Sequence, residues 1–424
     1  MKDETIAIHT GYQTDPTTKA VAVPIYQTVA YEFDNAQHGA DLFNLAVPGN
    51  IYTRIMNPTN DVLEQRVAAL EGGVAALALS SGQAAIHYSI INIAEVGNNI
   101  VSVPMLYGGT YTLFAHMLPK LGIDVRFAKD DRAASMEPLI DDKTAAVYCE
   151  TLGNPAGNIP DLEAIAALAH RHGIPLIVDN TVPTPVLMKP IEFGADIVVH
   201  SLTKYMGGHG TSIGGIIVDS GKFPWAEHAK RFPMLNNPEP AYHGVIYTEA
   251  LGPAAYIGRV RTVALRNTGS AMSPMNAFFF LQGIETLSLR MERHTENALN
   301  VAHYLEKHPG VAWVKYAGLP SSEYYQLAQK YMKGRPSALL AFGIKGGFDA
   351  GVKFYDALKL FKRLVNIGDA KSLAAHPAST THRQLTEPEL AAAGVTADMI
   401  RLCIGIEHID DILDDLEQAL AAAS

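Results

Sequence analysis

Cysteine is almost missing from this chain. Cys149 and Cys403 are the only two in 424 residues, far apart and in no C-x-x-C pair. A disulfide framework and a cysteine zinc site are therefore not expected, and a reducing compartment fits. Positive charge is also short. Lys and Arg number 33 against 43 Asp and Glu, for a net charge of −10. That balance disfavours a polyanion as partner, so no nucleic-acid binding is expected. No apolar run is long enough to cross a bilayer, and the opening MKDETIAIHTGYQTD holds no apolar signal core. The expected place is the cytoplasm, with no membrane association. Metal motifs are missing too. His200, His209, His243, His376 and His382 show no H-E-x-x-H spacing, so no metal is expected. No G-x-x-x-x-G-K-[ST] occurs. GGHGTSIGG fails G-x-G-x-x-G because Ile213 takes the last glycine place counted from Gly208. Nucleotide binding is disfavoured, and no internal repeat or low-complexity tract is visible.

What is present is a globular composition, 48% hydrophobic and 18% charged. The length suggests two to three domains. Residues 1–56 lack a sustained period and read as an extended N-terminal arm. Residues 57–256 read as a large domain in which short apolar strands alternate with helices. VAALALSSGQAAIHYSIINIA is strand, tight loop and helix; NNIVSVPM, IDVRFAK, TAAVYCET, IPLIVDNT, ADIVVHS and GGIIVDS are strands. PDLEAIAALAHRHG is a helix, with Asp161 as N-cap and Gly173 as stop. This pattern predicts an α/β fold with a mostly parallel central sheet and helices on both faces. Gly221–Tyr256 is irregular and rich in Pro and aromatics, either a surface insertion or an active-site lid. Residues 257–424 open with one or two long helices and then alternate strand and helix, a smaller C-terminal α/β domain.

Ligands of open α/β sheets bind outside the carboxyl ends of the strands. The polar residues there are Ser80, Ser81, Gly82 and Gln83, then Tyr107, Asn154, Asp179, and finally Ser201, Thr203 and Lys204. SSGQAA places a turn before a helix, where free N–H groups suit an anion. Ser201 and Thr203 add hydroxyl donors. An aspartate closing a buried strand needs a cation or a protonated nitrogen. A lysine in an apolar crevice beside other cations has a lowered pKa and becomes nucleophilic. Phosphate cradle, acid for a ring nitrogen, aromatic face and lysine together describe a pyridoxal phosphate site. Gly207, Gly208, Gly210, Gly214 and Gly215 are expected to let the backbone near Lys204 approach and clear that cofactor.

YTRIMNPT, SSGQAA, LYGGTY, ETLGNP, VDNT, HSLTKYMGGHG and RLCIGIEHIDDI occur in order along nearly the whole chain. In this the sequence resembles the Cys/Met-metabolism family of pyridoxal-phosphate enzymes, cystathionine γ-synthase-like and of fold type I. Within it, the opening TIAIHTGYQTDPTTKAVAVPIYQT, the length and the AYHG region at Ala241–Gly244 most resemble the sulfhydrylases of O-acetylhomoserine. The resemblance implies that Lys204 carries the cofactor covalently and moves protons, and that Asp179 holds the pyridine nitrogen protonated. It implies that Tyr107 stacks on the ring, and that Ser81, Gly82, Gln83, Ser201 and Thr203 hold the phosphate. Asn154 would lie near the ring hydroxyl and the substrate. Arg401 would clamp the substrate carboxylate, aided by the stretch from Ser372. Tyr52 and Arg54 match a Tyr-x-Arg pair that reaches the phosphate of a neighbouring subunit. A homo-oligomer with shared sites, a tetramer of two dimers, is the family expectation. The implied reaction is γ-replacement: O-acetyl-L-homoserine with sulfide or methanethiol gives homocysteine or methionine, plus acetate.

Alternatives stay open on the same scaffold: methionine γ-lyase, cystathionine γ-synthase, or a sulfhydrylase of O-succinylhomoserine. Gly109 stands where γ-lyases often carry Cys, which weakens the first. A cofactor-binding protein without turnover is the alternative of another class. Taken singly, a Lys after a strand is usually a solvated surface residue, SSG a turn and cap, and Asp179 a cap. Their joint order is what argues for chemistry.

Overall fold

The computed structural model describes residues 1–44, 46–153, 157–380 and 395–423. Seven strands form the first sheet: β1 (Ala75–Leu79), β2 (Asn99–Ser102), β3 (Asp124–Phe127), β4 (Thr144–Glu150), β5 (Leu176–Asp179), β6 (Ile197–Ser201) and β7 (Gly215–Asp219), in the order β1-β7-β6-β5-β4-β2-β3. β2 to β6 are mutually parallel, while β7 runs antiparallel to both β6 and β1. Every residue of β4 is buried, as are the apolar residues of β5 and β6, so both faces of the sheet are covered. The reversal of β7 has a local cause. A parallel return needs a crossover, usually a helix, and the link from Leu202 to Gly214 forms turns instead.

Two helices matter for the site. α1 (Pro58–Glu71) starts with Pro at its first position under an Asn57 cap and stops at Gly72, φ +78°. α2 (Gly82–Ile91) follows β1 directly. The helix α3 (Leu162–Arg171) ends before Gly173, at φ +63°, as read from the sequence. Asp161 does not cap it by its side chain. The carboxylate instead accepts from Tyr331 and Lys330.

After α4 (Pro274–Glu285) and α5 (Leu287–Lys307) comes a five-stranded sheet in the order β10-β11-β12-β9-β8. Its strands are β8 (Val311–Lys315), β9 (Leu339–Ile344), β10 (Lys362–Arg363), β11 (Leu373–Ala375) and β12 (Met399–Cys403), antiparallel except for β10 with β11. The helices α6 (Gly347–Ala357) and α7 (Ile409–Ala423) accompany it.

Two regions differ from expectation. The first 56 residues are not wholly extended: Asp3–His9 and Ala36–Phe43 are helical. Gly221–Tyr256 is an insertion with exposed stretches, but a buried aromatic cluster anchors it. Phe223, Trp225, Phe232 and Tyr256 are buried, and Trp225 stacks on Tyr256 at 5.4 Å. This plug lies at the N-terminal ends of the parallel strands, with His228 against Gly173 just before β5.

Candidate active site

The carboxyl ends of β1, β4, β5 and β6 open onto one cavity of about 240 Å³. It is lined by Ser81, Gly82, Gln83, Tyr107, Asp179, Ser201, Thr203, Lys204 and Arg401, all named by the sequence. Close backbone approach builds its floor. Ser81 caps α2, its hydroxyl accepting the Ala84 N–H at 3.1 Å. A Cβ on Gly82 would sit 2.6 Å from Ser201 Cβ, and one on Gly215 would sit 2.1 Å from the Ser81 carbonyl. Only glycine lets the β1–α2 turn lie against the ends of β6 and β7. Alternation then aims the side chains. Asp179, Thr181 and Ser201 face the cavity. The Thr181 hydroxyl accepts the Ser201 N–H at 2.8 Å, and the Thr181 N–H donates to Asp179 Oδ1 at 2.9 Å.

The other glycines after Lys204 do not loosen the backbone, against expectation. A Cβ on Gly207 or Gly214 would strike the Phe280 ring, and one on Gly208 would strike the Arg290 guanidinium. Arg290, from α5, is buried and donates to the carbonyls of Tyr205 and Gly283 at 2.7 and 2.6 Å. Burial pushes its pKa down to about 10. The turn that carries Lys204 is therefore clamped, and the freedom left is in the lysine side chain.

Charge is arranged in layers. Burial lowers the pKa of Lys204, and the neighbouring Arg401 lowers it further. Its ammonium finds a neutral acceptor, Asn366 Oδ1, at 2.5 Å. Arg401 lies in β12 and donates to the Asn366 carbonyl at 3.2 Å. Glu150 and Asp179 are register partners on β4 and β5. Burial raises both carboxyls. Asp179 has more to offset it, from Thr181, His200 and Tyr148, whereas Glu150 is offset by the Tyr107 N–H at 2.7 Å and raised again by Asp179. Two adjacent buried acids do not both ionise readily, and Asp179 is the better supported of the two to carry charge.

The sequence profile of the Cys/Met metabolism PLP-dependent enzymes matches residues 4–421. The chain belongs to that family. It is 53% identical over 421 residues to the homocysteine synthase of Schizosaccharomyces pombe, covering 99% of this chain and 98% of that one. It is 53% identical over 428 residues to the O-acetyl-L-homoserine sulfhydrylase of Leptospira meyeri, covering 99% and 96%. A crystal structure from Campylobacter jejuni, assigned provisionally as an O-acetylhomoserine (thiol)-lyase and containing N'-pyridoxyl-lysine-5'-monophosphate, superposes with a TM-score of 0.96 at 43% identity, covering 99% and 100%.

The cavity of this family member suits pyridoxal phosphate. Gly82 and Gln83 offer N–H groups that precede the ladder of α2, where a phosphate is favoured. The missing Cβ of Gly82 keeps that cradle open beside Ser201 and Thr203. Asp179 is a buried acid that would suit a protonated ring nitrogen, and Lys204 an amine that would suit the aldehyde carbon. Tyr107, 48% exposed, presents its ring at the rim.

Other expected residues fall elsewhere. Tyr52 and Arg54 are exposed and stack on each other at 5.1 Å, away from the cavity of their own chain. Ser372 does not line the cavity. It is fully buried, its N–H and hydroxyl both donating to Glu407 at 2.7 and 2.9 Å. Asn154 lies outside the described residues. The residues missed are Asn366, Thr181 and Glu150. Thr181 and Glu150 end or follow apolar strands and could have been found by the same rule as Asp179. Asn366 sits in LVNIGDAKSL, where no periodic strand points to it.

Proposed function

We propose that this enzyme carries out γ-replacement on O-acetyl-L-homoserine: the γ-carbon–oxygen bond breaks, a carbon–sulfur bond forms, and acetate leaves. With sulfide the product is homocysteine; with methanethiol it is methionine. The observation that carries this reading is the pairing of Lys204 with Arg401 across one Asn366, beside an acid, Asp179, that lines the same cavity and would hold the ring nitrogen. Bound pyridoxal phosphate supplies the electron sink for charge developing at the substrate α-carbon. Arg401 binds the α-carboxylate as a planar fork and so fixes which bonds lie over the sink. Lys204, with its lowered pKa, takes a proton from the α-carbon as a free amine and returns it at the end. Asp179 stays ionised to hold the nitrogen proton, while Tyr107 covers the cavity.

Gly109 stands where γ-lyases often carry Cys, which weakens a γ-lyase reading. A side chain there would sit 2.6 Å from the Tyr107 ring and 3.2 Å from the Gln83 amide, so the ring position depends on this glycine. The relatives named for homocysteine and O-acetylhomoserine chemistry support the substrate class. The exposed pair Tyr52 and Arg54 supports a site completed by a second copy of the chain, in a homotetramer of two dimers working in the cytoplasm.

A paired assay tests the reading. Purified enzyme is given O-acetyl-L-homoserine with and without sulfide, and homocysteine, acetate and 2-oxobutyrate are followed. Homocysteine only with sulfide is expected. Abundant 2-oxobutyrate without thiol would replace this reading with a γ-lyase, and turnover of the succinyl ester alone would change the donor.

A further inference from the structure

The face of the sheet behind Asp179 holds a second set of polar groups that the reaction does not touch. Asn180 follows Asp179, and His200 precedes Ser201. By strand alternation both point away from the cavity. They meet Glu71, the last residue of α1. Glu71 Oε1 accepts the Asn180 amide at 2.9 Å and bonds His200 Nε2 at 2.7 Å. All three side chains are buried, Glu71 and His200 completely. Glu71 Oε2, His200 Nδ1 and Asn180 Oδ1 are buried without a hydrogen-bond partner among the described residues. A buried carboxylate with one oxygen idle is costly, and an apolar contact between α1 and the sheet would be cheaper.

The placement gives that cost a use. Glu71 holds the chain neighbours of two cavity residues, one on β5 and one on β6. The strands are also joined by the Asn180 N–H to the Val199 carbonyl at 3.0 Å. We propose that Glu71 is a positioning residue for the cofactor: acting through His200 and Asn180, it fixes the place of Asp179 from the far face of the sheet. The groups that bear on Asp179 are Thr181 from its own strand end, Tyr148 and its register partner Glu150 from β4, and His200 from β6 across the sheet. Thr181 bonds it directly and Tyr148 adds a smaller favourable contact. Glu150 disfavours its charge. His200 lies behind it, held in place by Glu71.

This inference rests on the cofactor, not on the acyl donor or thiol. Its test reads cofactor binding, so it stands or falls separately from the sulfhydrylase reading. Holoenzyme of Glu71→Gln and of His200→Gln is compared with the parent for cofactor retention on dialysis, for the pH dependence of the bound-cofactor absorbance, and for Tm. Glu71→Gln keeps the size and one acceptor oxygen but removes the charge. Retention about tenfold weaker is expected, the range of loss when an outer partner of a ligand-holding group is removed. The acid-side loss of the visible band should move to higher pH, because a displaced Asp179 holds the ring-nitrogen proton less firmly. Asn180 still finds its acceptor, so Tm should change by only a few degrees. Should Glu71→Gln fail to fold, His200→Gln reads the same coupling from the other partner. Unchanged retention and an unchanged pH profile in a folded variant would overturn the proposal. Weaker retention with the parent pH profile would also overturn it, since that is what a packing role alone predicts.

Discussion

At one end of the parallel strands, Asp179 and Glu150 stand open to a cavity. At the other end, Asp196 and Asp219 are closed in by the chain. Both ends bury acids, and burial raises the pKa of all four. The compensation differs. Asp196 Oδ2 receives the Leu176 N–H and the His170 ring, each at 2.8 Å. Asp219 receives the Gly221 N–H at 2.8 Å and is pushed up to about 7 by burial. Those bonds come from β5, α3 and the turn after β7 and need no ligand, although Asp219 Oδ2 is buried without a hydrogen-bond partner among the described residues. At the cavity end the lysine is bonded to a neutral amide instead of a carboxylate, and Asp179 faces open space. A strand end that closes its own charges is structural, and one that leaves charge facing a cavity is waiting for a ligand.

The strongest way to sharpen this comparison is Lys204→Ala. Turnover should fall by at least about 10³-fold, the upper range for losing a positioned proton-transfer group. Borohydride treatment should no longer attach cofactor to the chain, read by mass. Retained turnover together with a covalent adduct elsewhere would show that the cavity end had been misread. A smaller effect is expected at Asn366→Ala. The backbone carbonyl that holds Arg401 survives this change, so KM for the amino acid should stay near the parent value. The acceptor for Lys204 is lost, and kcat should fall about tenfold, the scale of one hydrogen bond to a charged group. A raised KM with normal kcat would instead place Asn366 on the substrate.

The same comparison explains what the sequence could show. Ser81, Gly82, Asp179, Ser201 and Lys204 were legible because each ends or closely follows a short apolar strand, and strand ends are where such sheets bind ligands. Arg401 was legible as a charge inside an apolar strand. Asn366 was not, because β10 before it is two residues long and leaves no period to read. Ser372 was chosen nearby, yet its polar groups are spent on Glu407, a pairing that only the folded chain brings together. The reversed β7 was hidden for a related reason, since side-chain period carries no strand direction. The partnership of Glu71 with His200 spans 129 positions along the chain and has no local signature.

The smallest effect is expected at the closed end, from His170→Asn. The Asp196 hydrogen bond raises the His170 pKa, with burial opposing. A histidine with a raised folded pKa stabilises fully below its unfolded value near 6.5, and that contribution fades as pH rises through the folded value. The ring is 44% exposed, so solvent screens the pair and holds its worth to about 1 kcal/mol or less. His170→Asn should therefore lower Tm slightly at pH 5.5 and still less at pH 8.5, with kcat unchanged at both. Asp196 itself ionises less readily when buried, which is why the histidine matters more than the carboxylate's exposure would suggest. An equal loss at the two pH values would mean that the bond works as a neutral contact, and that the closed end is not balanced by charge at all. A loss of kcat would mean that the two ends communicate through the strands, and the division between them would have to be redrawn.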